Sequence, residues 1–237
     1  MSPKSAAQGF ECIDEQSDFW VIHKHPGISM HCENNEIGLC QRVKTHFNAE
    51  ACLPVHRLDK VTSGIVLLAK KPEAARELSL LFQSRQVEKF YIAISDRKPK
   101  KKQGLIIGDM AKARRGAWKL EKTRNNPAIT QFFSRSIGEG RRLYWLKPNT
   151  GKTHQLRVAL RSIGAPIVGD PLYYSPAEEA KQWDRTYLHA YQLAFVSKGI
   201  EYCYREKPVC GQLFLNDPLL DCLKKEQNPS ILPWPTL

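Results

Sequence analysis

Apolar residues fall along the chain in short runs of two different periods. Residues 19–23 and 64–69 are nearly unbroken apolar stretches, and residues 87–94, 128–135, 142–146, 187–196 and 200–204 are apolar or alternating, so all seven read as strands. Three segments carry helical spacing instead. Residues 36–47 follow the possible caps Asn34 and Asn35, and Pro72 opens a segment with Ala75, Leu78, Leu81 and Phe82 on one stripe. Residues 153–163 place Leu156, Leu160 and Ile163 at i, i+4 and i+7. Strands outnumber helices and often follow one another directly, which predicts an α+β protein with a mixed, mainly antiparallel sheet. One domain over residues 18–227, an N-terminal extension of residues 1–17 and an irregular strap over residues 228–237 account for the pattern.

Of the 237 residues, 42% are apolar and 25% charged, enough to build a sizeable core and incompatible with general disorder or a fibrous repeat. The longest clean apolar run, residues 65–69, is far below the roughly 18–20 residues of a membrane helix, and the first ten residues lack the apolar stretch of a secretory signal. A soluble cytoplasmic protein with no membrane partner is expected. The seven cysteines include no Cys-x-x-Cys pair, so reduced, mostly buried thiols are expected rather than a disulfide framework. His23, His25, His31 and Cys32 match no standard ligand spacing, so no metal is expected.

Charge changes the picture more than composition does. Lys and Arg number 36 against 24 Asp and Glu, a formal charge of +12. Residues 97–124 alone hold eleven basic side chains against two acidic ones, interrupted by Gly104, Gly108 and Gly116 and interleaved with Met110 and Trp118. That segment reads as a long mobile loop or irregular hairpin standing off the core, an insertion over residues 97–127. Cations contact phosphates while aromatic faces stack on bases, so nucleic acid is the leading partner.

Two motifs mislead when taken singly. His56-Arg57-Leu58-Asp59-Lys60 has Leu-Asp where a kinase catalytic loop has Asp-Leu, and Gly151-Lys152-Thr153 lacks the glycine that a phosphate loop requires at position 146, which is Leu146. What remains is a carboxylate, Asp59, beside Arg57 on a loop before the buried run, followed by Thr62-Ser63-Gly64. A neighbouring guanidinium favours the ionised carboxylate that nucleophilic use requires. Alone, these residues fit a turn-capping aspartate better than a nucleophile. In Gly151-Lys152-Thr153-His154-Gln155-Leu156-Arg157-Val158, His154 and Arg157 lie three apart and off the apolar stripe, facing a cleft or merely solvent. Tyr91, two residues after Lys89, is on its own an ordinary sheet aromatic.

In combination the order is specific. HRLDKVTSG, the Lys89-x-Tyr91 strand, GKTHQLRV, Val168-Gly169-Asp170-Pro171-Leu172-Tyr173 and Leu188-His189-Ala190 together closely resemble the RluA-type pseudouridine synthase family over about residues 18–205. The resemblance implies that family's fold, a mainly antiparallel sheet flanked by helices and loops around a central RNA-binding cleft. It implies an isomerase that detaches uracil from ribose in RNA and reattaches it through ring carbon 5, with no cofactor and no metal. Asp59 matches the catalytic aspartate, which attacks the anomeric carbon, abstracts a ribose proton or attacks the ring. Tyr91 matches the tyrosine against the target base, and Arg157 the arginine that ion-pairs with the catalytic carboxylate. Arg57 matches the residue that enters the space of the flipped uridine, and His56, Thr62, Lys89, Lys152 and His154 fall on the RNA-contacting side. Lys100, Lys101, Lys102, Arg114 and Arg115 lie where the family inserts RNA-gripping segments and form a candidate clamp.

Lys152 stands where the family commonly has Arg, and Ala159 where His often follows. A fold beginning near Asp18 leaves no room for the small N-terminal RNA-binding domain of many relatives, so structured RNA, ribosomal or transfer, would be recognised by the catalytic domain of a monomer. A non-catalytic RNA-binding or RNA-folding module is the alternative. The presence of Asp59, Tyr91 and Arg157 favours the enzyme, and Arg157→Met is expected to damage catalysis more than stability. Neutralising Lys100, Lys101, Lys102, Arg114 and Arg115 is expected to lower RNA affinity and flatten the slope of log affinity against log salt by about 0.7–0.9 for each phosphate no longer neutralised. An unchanged slope in a salt titration contradicts the clamp.

Overall fold

The two unbroken apolar runs become the wholly buried strands of the computed structural model, which describes residues 8–236. In chain order the elements are β1 (Phe10–Glu15), β2 (Phe19–Lys24), α1 (Leu39–His46), β3 (Leu53–Pro54), β4 (Ser63–Ala69), α2 (Pro72–Gln83), β5 (Glu88–Ser95), β6 (Gln103–Gly108), β7 (Met110–Lys112) and β8 (Trp118–Leu120). Then come β9 (Ala128–Ser136), β10 (Arg142–Pro148), α3 (Gln155–Ser162), α4 (Ala177–Ala180), β11 (Leu188–Ser197), β12 (Ile200–Arg205) and α5 (Asp217–Lys225). The architecture is α+β and the chain divides into two units, Met1–Glu88 with Ala190–Lys207, and Lys89–His189 with Pro208–Leu237.

In the first unit the strand order is β1-β2-β4-β11, with β12 on β11 and β3 beside β4. The pairs β1/β2, β2/β4, β3/β4 and β11/β12 are antiparallel. Strand alternation puts Phe19 and Val21, Ile65 and Leu67, and Leu193 and Phe195 into one core, closed by Ala74 and Leu78 of α2. Ala75, Leu81 and Phe82 pack at its margin, so the stripe on α2 is turned slightly from the one read in the sequence.

The second unit carries the antiparallel order β5-β10-β9-β6, with Tyr91 opposite Leu146 and Trp145 opposite Phe133. Helix α5 is capped by the Asn216 side chain, which accepts the Leu219 N–H at 3.1 Å. At its other end the Glu226 carboxylate takes the Trp145 indole N–H at 2.6 Å and the Arg135 Nε at 2.7 Å. The terminal strap packs Trp234 against Phe90 and Phe133, with ring centroids 5.4 and 5.0 Å away.

Several expectations are corrected. Of the two readings of the basic segment the hairpin is the one that forms, over β7 and β8, but it is not detached: β6 pairs with β9 from Gln103↔Phe133 to Gly108↔Ala128 on either side of it. Flanking lysines masked the short alternation that buries Ile106. Strand β1 lies within the segment read as an extension, whose first seven residues are outside the described residues. Helix α1 begins at Leu39 rather than residue 36, because Glu33 and Glu36 form a β-bridge that delays it. Helix α5 was not anticipated, although Asn216-Asp217-Pro218 is a start signal. The cysteines are free, but Cys12, Cys32 and Cys203 are exposed and the other four only half-buried; Cys12 and Cys203 sit on the outward positions of outer strands. No helix among the described residues is long and apolar enough to cross a membrane.

Gly64 shows how closely β4 and β11 are fitted. Its φ is +111°, and a Cβ there would lie 2.3 Å from the Ala190 carbonyl oxygen. Gly64→Ala is expected to cost about 2–4 kcal/mol, from left-handed backbone strain added to the steric conflict. Urea unfolding checks this, and an unchanged midpoint contradicts it.

Candidate active site

The HRLDK loop is fixed from below by its own neighbours in the first unit. His56 stacks on Phe82, with centroids 4.3 Å apart and planes at 18°. Its Nε2 accepts the Leu67 N–H at 2.9 Å, which fixes the ring, read in the sequence as an RNA contact, against β4. Leu58 is buried, and the Thr62 N–H closes a turn onto the Asp59 carbonyl at 3.0 Å. The Lys60 carbonyl accepts from the Gly27 N–H at 2.7 Å and from Lys24 Nζ at 3.3 Å.

Lys24 is 0% exposed, and its ammonium also donates to the carbonyls of His25 and Ile28 at 2.9 Å each. A buried ammonium is tolerable only with such hydrogen bonds, and here they tie the turn after β2 to the residue that follows Asp59. The sequence reading passed over Lys24; a lysine ending an otherwise apolar strand was the signal. Asp59 is half-buried and Arg57 exposed at this anchored loop, while Thr62, expected to contact RNA, is buried because it closes the turn.

The second unit supplies Lys89, Tyr91, Lys152, His154 and Arg157. Lys89 and Tyr91 are two apart on β5 and share a face, opposite Phe90 and Ile92. Burial pushes the Lys89 ammonium below the usual lysine range. Arg157 is not on an exposed helix face: α3 is buried from Gln155 to Leu160, and Arg157 is 3% exposed. Its Nε and Nη2 donate to Asp170 Oδ2 and Oδ1 at 2.7 and 2.9 Å. Asp170 is 0% exposed and also accepts the N–H groups of Leu172 at 2.9 Å and Tyr173 at 3.2 Å. Asp170 carried no role in the sequence reading, because nothing in its local pattern announces a partner thirteen residues away.

The GKTHQ turn is locked by another unanticipated residue. Gln155 Oε1 accepts from Thr150 Oγ1 at 2.7 Å and the Lys152 N–H at 3.0 Å, while Nε2 donates to the Ile129 carbonyl and Thr130 Oγ1, both at 3.0 Å. This buried amide thus satisfies both its donors and its acceptor. Lys152 Nζ donates to Asn126 Oδ1 at 2.7 Å. His154 lies just before α3 with a left-handed φ of +56° and is hydrogen-bonded through Nδ1 to Tyr173 Oη at 2.9 Å.

The candidate clamp is two clusters rather than one. Lys100, Lys101 and Lys102 precede β6, whereas Arg114 and Arg115 lie at the tip of the hairpin that follows it; β6 itself spans roughly 17 Å at about 3.4 Å per residue. All five side chains are exposed. The hairpin base is closed by Asp109, whose carboxylate accepts the N–H groups of Asn125 and Asn126 at 3.0 and 2.8 Å. Hydrogen bonds, led by Thr123, hold that carboxyl below the usual range. Among the described residues no group of three or more His, Cys, Asp or Glu is arranged to hold a metal ion.

An anchored carboxylate loop and exposed cationic clusters are features that an enzyme acting on a polyanion would need. Comparison with known proteins narrows the class. Residues 18–162 match the family described as RNA pseudouridylate synthase. A Haemophilus influenzae protein described as an uncharacterized RNA pseudouridine synthase is 55% identical over 185 residues, 78% of this chain and 81% of that one. The Borreliella burgdorferi ribosomal large subunit pseudouridine synthase D is 35% identical over 196 residues, 76% of this chain and 59% of that one. The structure of human RNA pseudouridylate synthase domain containing 1 shares the fold, with a TM-score of 0.73 at 24% identity over 88% of this chain and 86% of that one. The chain belongs to the RNA pseudouridylate synthase family, whose members are isomerases acting on RNA.

The buried pair revises the expectation for Arg157→Met. Removing the guanidinium leaves the Asp170 carboxylate buried without its partner, so the loss of stability is expected to reach about 3–5 kcal/mol, and Asp170→Asn alone behaves similarly. In the double variant no charge is stranded, and the two costs are expected to overlap by about 2 kcal/mol or more. Urea denaturation of the four proteins checks this; strictly additive costs contradict it.

Proposed function

We propose that this protein converts uridine to pseudouridine at one or a few positions of a structured RNA, ribosomal or transfer, acting in the cytoplasm as a monomer. The Asp59 carboxylate attacks the ribose anomeric carbon or takes a neighbouring ribose proton, and the bond from that carbon to the base opens. The uracil then turns and ring carbon 5 bonds to the anomeric carbon as Asp59 leaves it, or returns the ribose proton, while the proton lost from carbon 5 is replaced by one on N1, the nitrogen freed when the first bond opened. Substrate and product are isomers, so the atoms balance without a cofactor. Tyr91 packs against the base and relays the carbon 5 proton, taking it as its own hydroxyl proton is passed on toward N1, while Arg157 keeps the catalytic carboxylate charged. Reaching the bond requires extruding the nucleotide, at a cost of a few kcal/mol in unstacking, and the exposed Arg57 guanidinium fills the vacated space.

The observation that carries this reading is the anchoring of Asp59. Its neighbours on both sides are held, Leu58 by burial and Lys60 by the Gly27 N–H and the Lys24 ammonium. A nucleophile must be delivered within a fraction of an ångström, and a loop so pinned bears that constraint whereas a surface turn does not. The cationic clusters support an RNA partner, gripping phosphates without reading bases.

The test uses purified protein on transcribed ribosomal and transfer RNA, with pseudouridine quantified. Asp59→Asn is expected to reduce formation roughly 10³-fold or more while RNA affinity changes by less than about threefold. Pseudouridine formed at the wild-type rate by the variant contradicts the role of Asp59. Absence of product from the wild type on every RNA contradicts the activity and favours the binding module.

A further inference from the structure

We propose that Tyr173 is a positioning residue that couples the basic hairpin to the helix bearing Arg157, so that RNA gripped on β7 and β8 is held in register with that arginine. The inference rests on the RNA-acting reading above and adds to it a residue for RNA engagement. Tyr173 is 2% exposed, yet every polar part of it is in use. Its Oη accepts the Trp118 N–H at 2.8 Å, a main-chain group of β8 at the position opposite Lys112, and is bonded to His154 Nδ1 at 2.9 Å. The Arg157 guanidinium lies 5.0 Å from the centre of its ring. Its own N–H goes to Asp170 and its carbonyl accepts Arg161 Nη1 at 3.0 Å, which fixes the residue at both ends.

The parts of the side chain have separable jobs. Packing beneath the guanidinium needs only the aromatic ring, which phenylalanine would supply; the hydroxyl is what reaches the hairpin. Because the hydroxyl bonds a main-chain amide, the tie does not depend on which side chains the hairpin displays. The hairpin tip is otherwise a short turn, with the Ala113 N–H on the Ala117 carbonyl at 2.8 Å and Lys112, Arg114 and Arg115 exposed around it. A tip free to swing loses part of its phosphate-binding energy in being ordered when RNA binds; one already tethered does not.

The test measures RNA affinity and single-turnover pseudouridine formation for the wild type, Tyr173→Phe, Arg114→Ala/Arg115→Ala, and the triple variant, all well below their melting temperatures. Tyr173→Phe, which removes the hydroxyl's bonds to both the Trp118 N–H and His154 Nδ1, is expected to weaken RNA binding about three- to tenfold, the worth of the single bond to the hairpin, and to leave the rate at saturating enzyme within about twofold. Trp118 amide exchange is expected to accelerate in the same variant. In the neutralised hairpin Tyr173→Phe is expected to cost nothing further, since there is no grip left to position. Costs that multiply in the triple variant, or faster Trp118 exchange with unchanged affinity, overturn the coupling while leaving the proposed activity standing. A wild type that forms no pseudouridine removes the activity and the coupling with it.

Discussion

The buried ion pair between Arg157 and Asp170 is the constraint on which the second unit depends. Taking a guanidinium and a carboxylate out of water costs more than their attraction returns unless the geometry is good and further hydrogen bonds complete it. Here both conditions hold, with two parallel N–H···O contacts and two backbone amides on Asp170. The pair therefore fixes geometry more than it adds stability. It sets α3 against the turn of residues 168–174, and that turn carries Tyr173 and through it the hairpin. A hydrophobic pair of equal volume could fill the same space, but it would hold no guanidinium there.

In the first unit a different buried cation does the corresponding work. Lys24 gathers three carbonyls from two separate chain segments, and one of them belongs to the residue after Asp59. His56 fastens the start of the same loop by stacking on α2 and accepting an amide of β4. Gly64 permits β4 to approach Ala190 with no side chain between them. His56 and Gly64 lie within the HRLDKVTSG motif, and Lys24 reaches it through the Lys60 carbonyl. Much of that motif is thus scaffold for a single carboxylate and for the exposed guanidinium two residues before it.

The sequence disclosed the strands well because burial on both sides of a sheet leaves a continuous apolar run, as in residues 64–69. It disclosed α2 through Pro72 and a clear stripe. It hid β6, because a six-residue strand set among lysines looks like a charged loop, and it hid α5, whose start signal was present without a long stripe behind it. Asp59, Tyr91 and Arg157 were singled out as candidates by order and resemblance, and the residues that hold Asp59 and Arg157 in place were not. Lys24, Gln155 and Asp170 act through contacts that pattern cannot show: a buried ammonium counts its partners in space, and Asp170 meets Arg157 only when residues 168–174 fold back. The division of the candidate clamp into two clusters was hidden for a related reason. Charge summed along the chain does not reveal that a strand separates its two halves.

On the proposed function, this scaffold delivers one carboxylate to a uridine in cellular RNA. The most direct measurement is pseudouridine mapping of total RNA from cells lacking the protein and from the same cells supplied with the wild type or with Asp59→Ala. One or a few pseudouridines are expected to vanish in the deletion, return with the wild type and stay absent with the variant. A site restored equally by Asp59→Ala would contradict the role of Asp59.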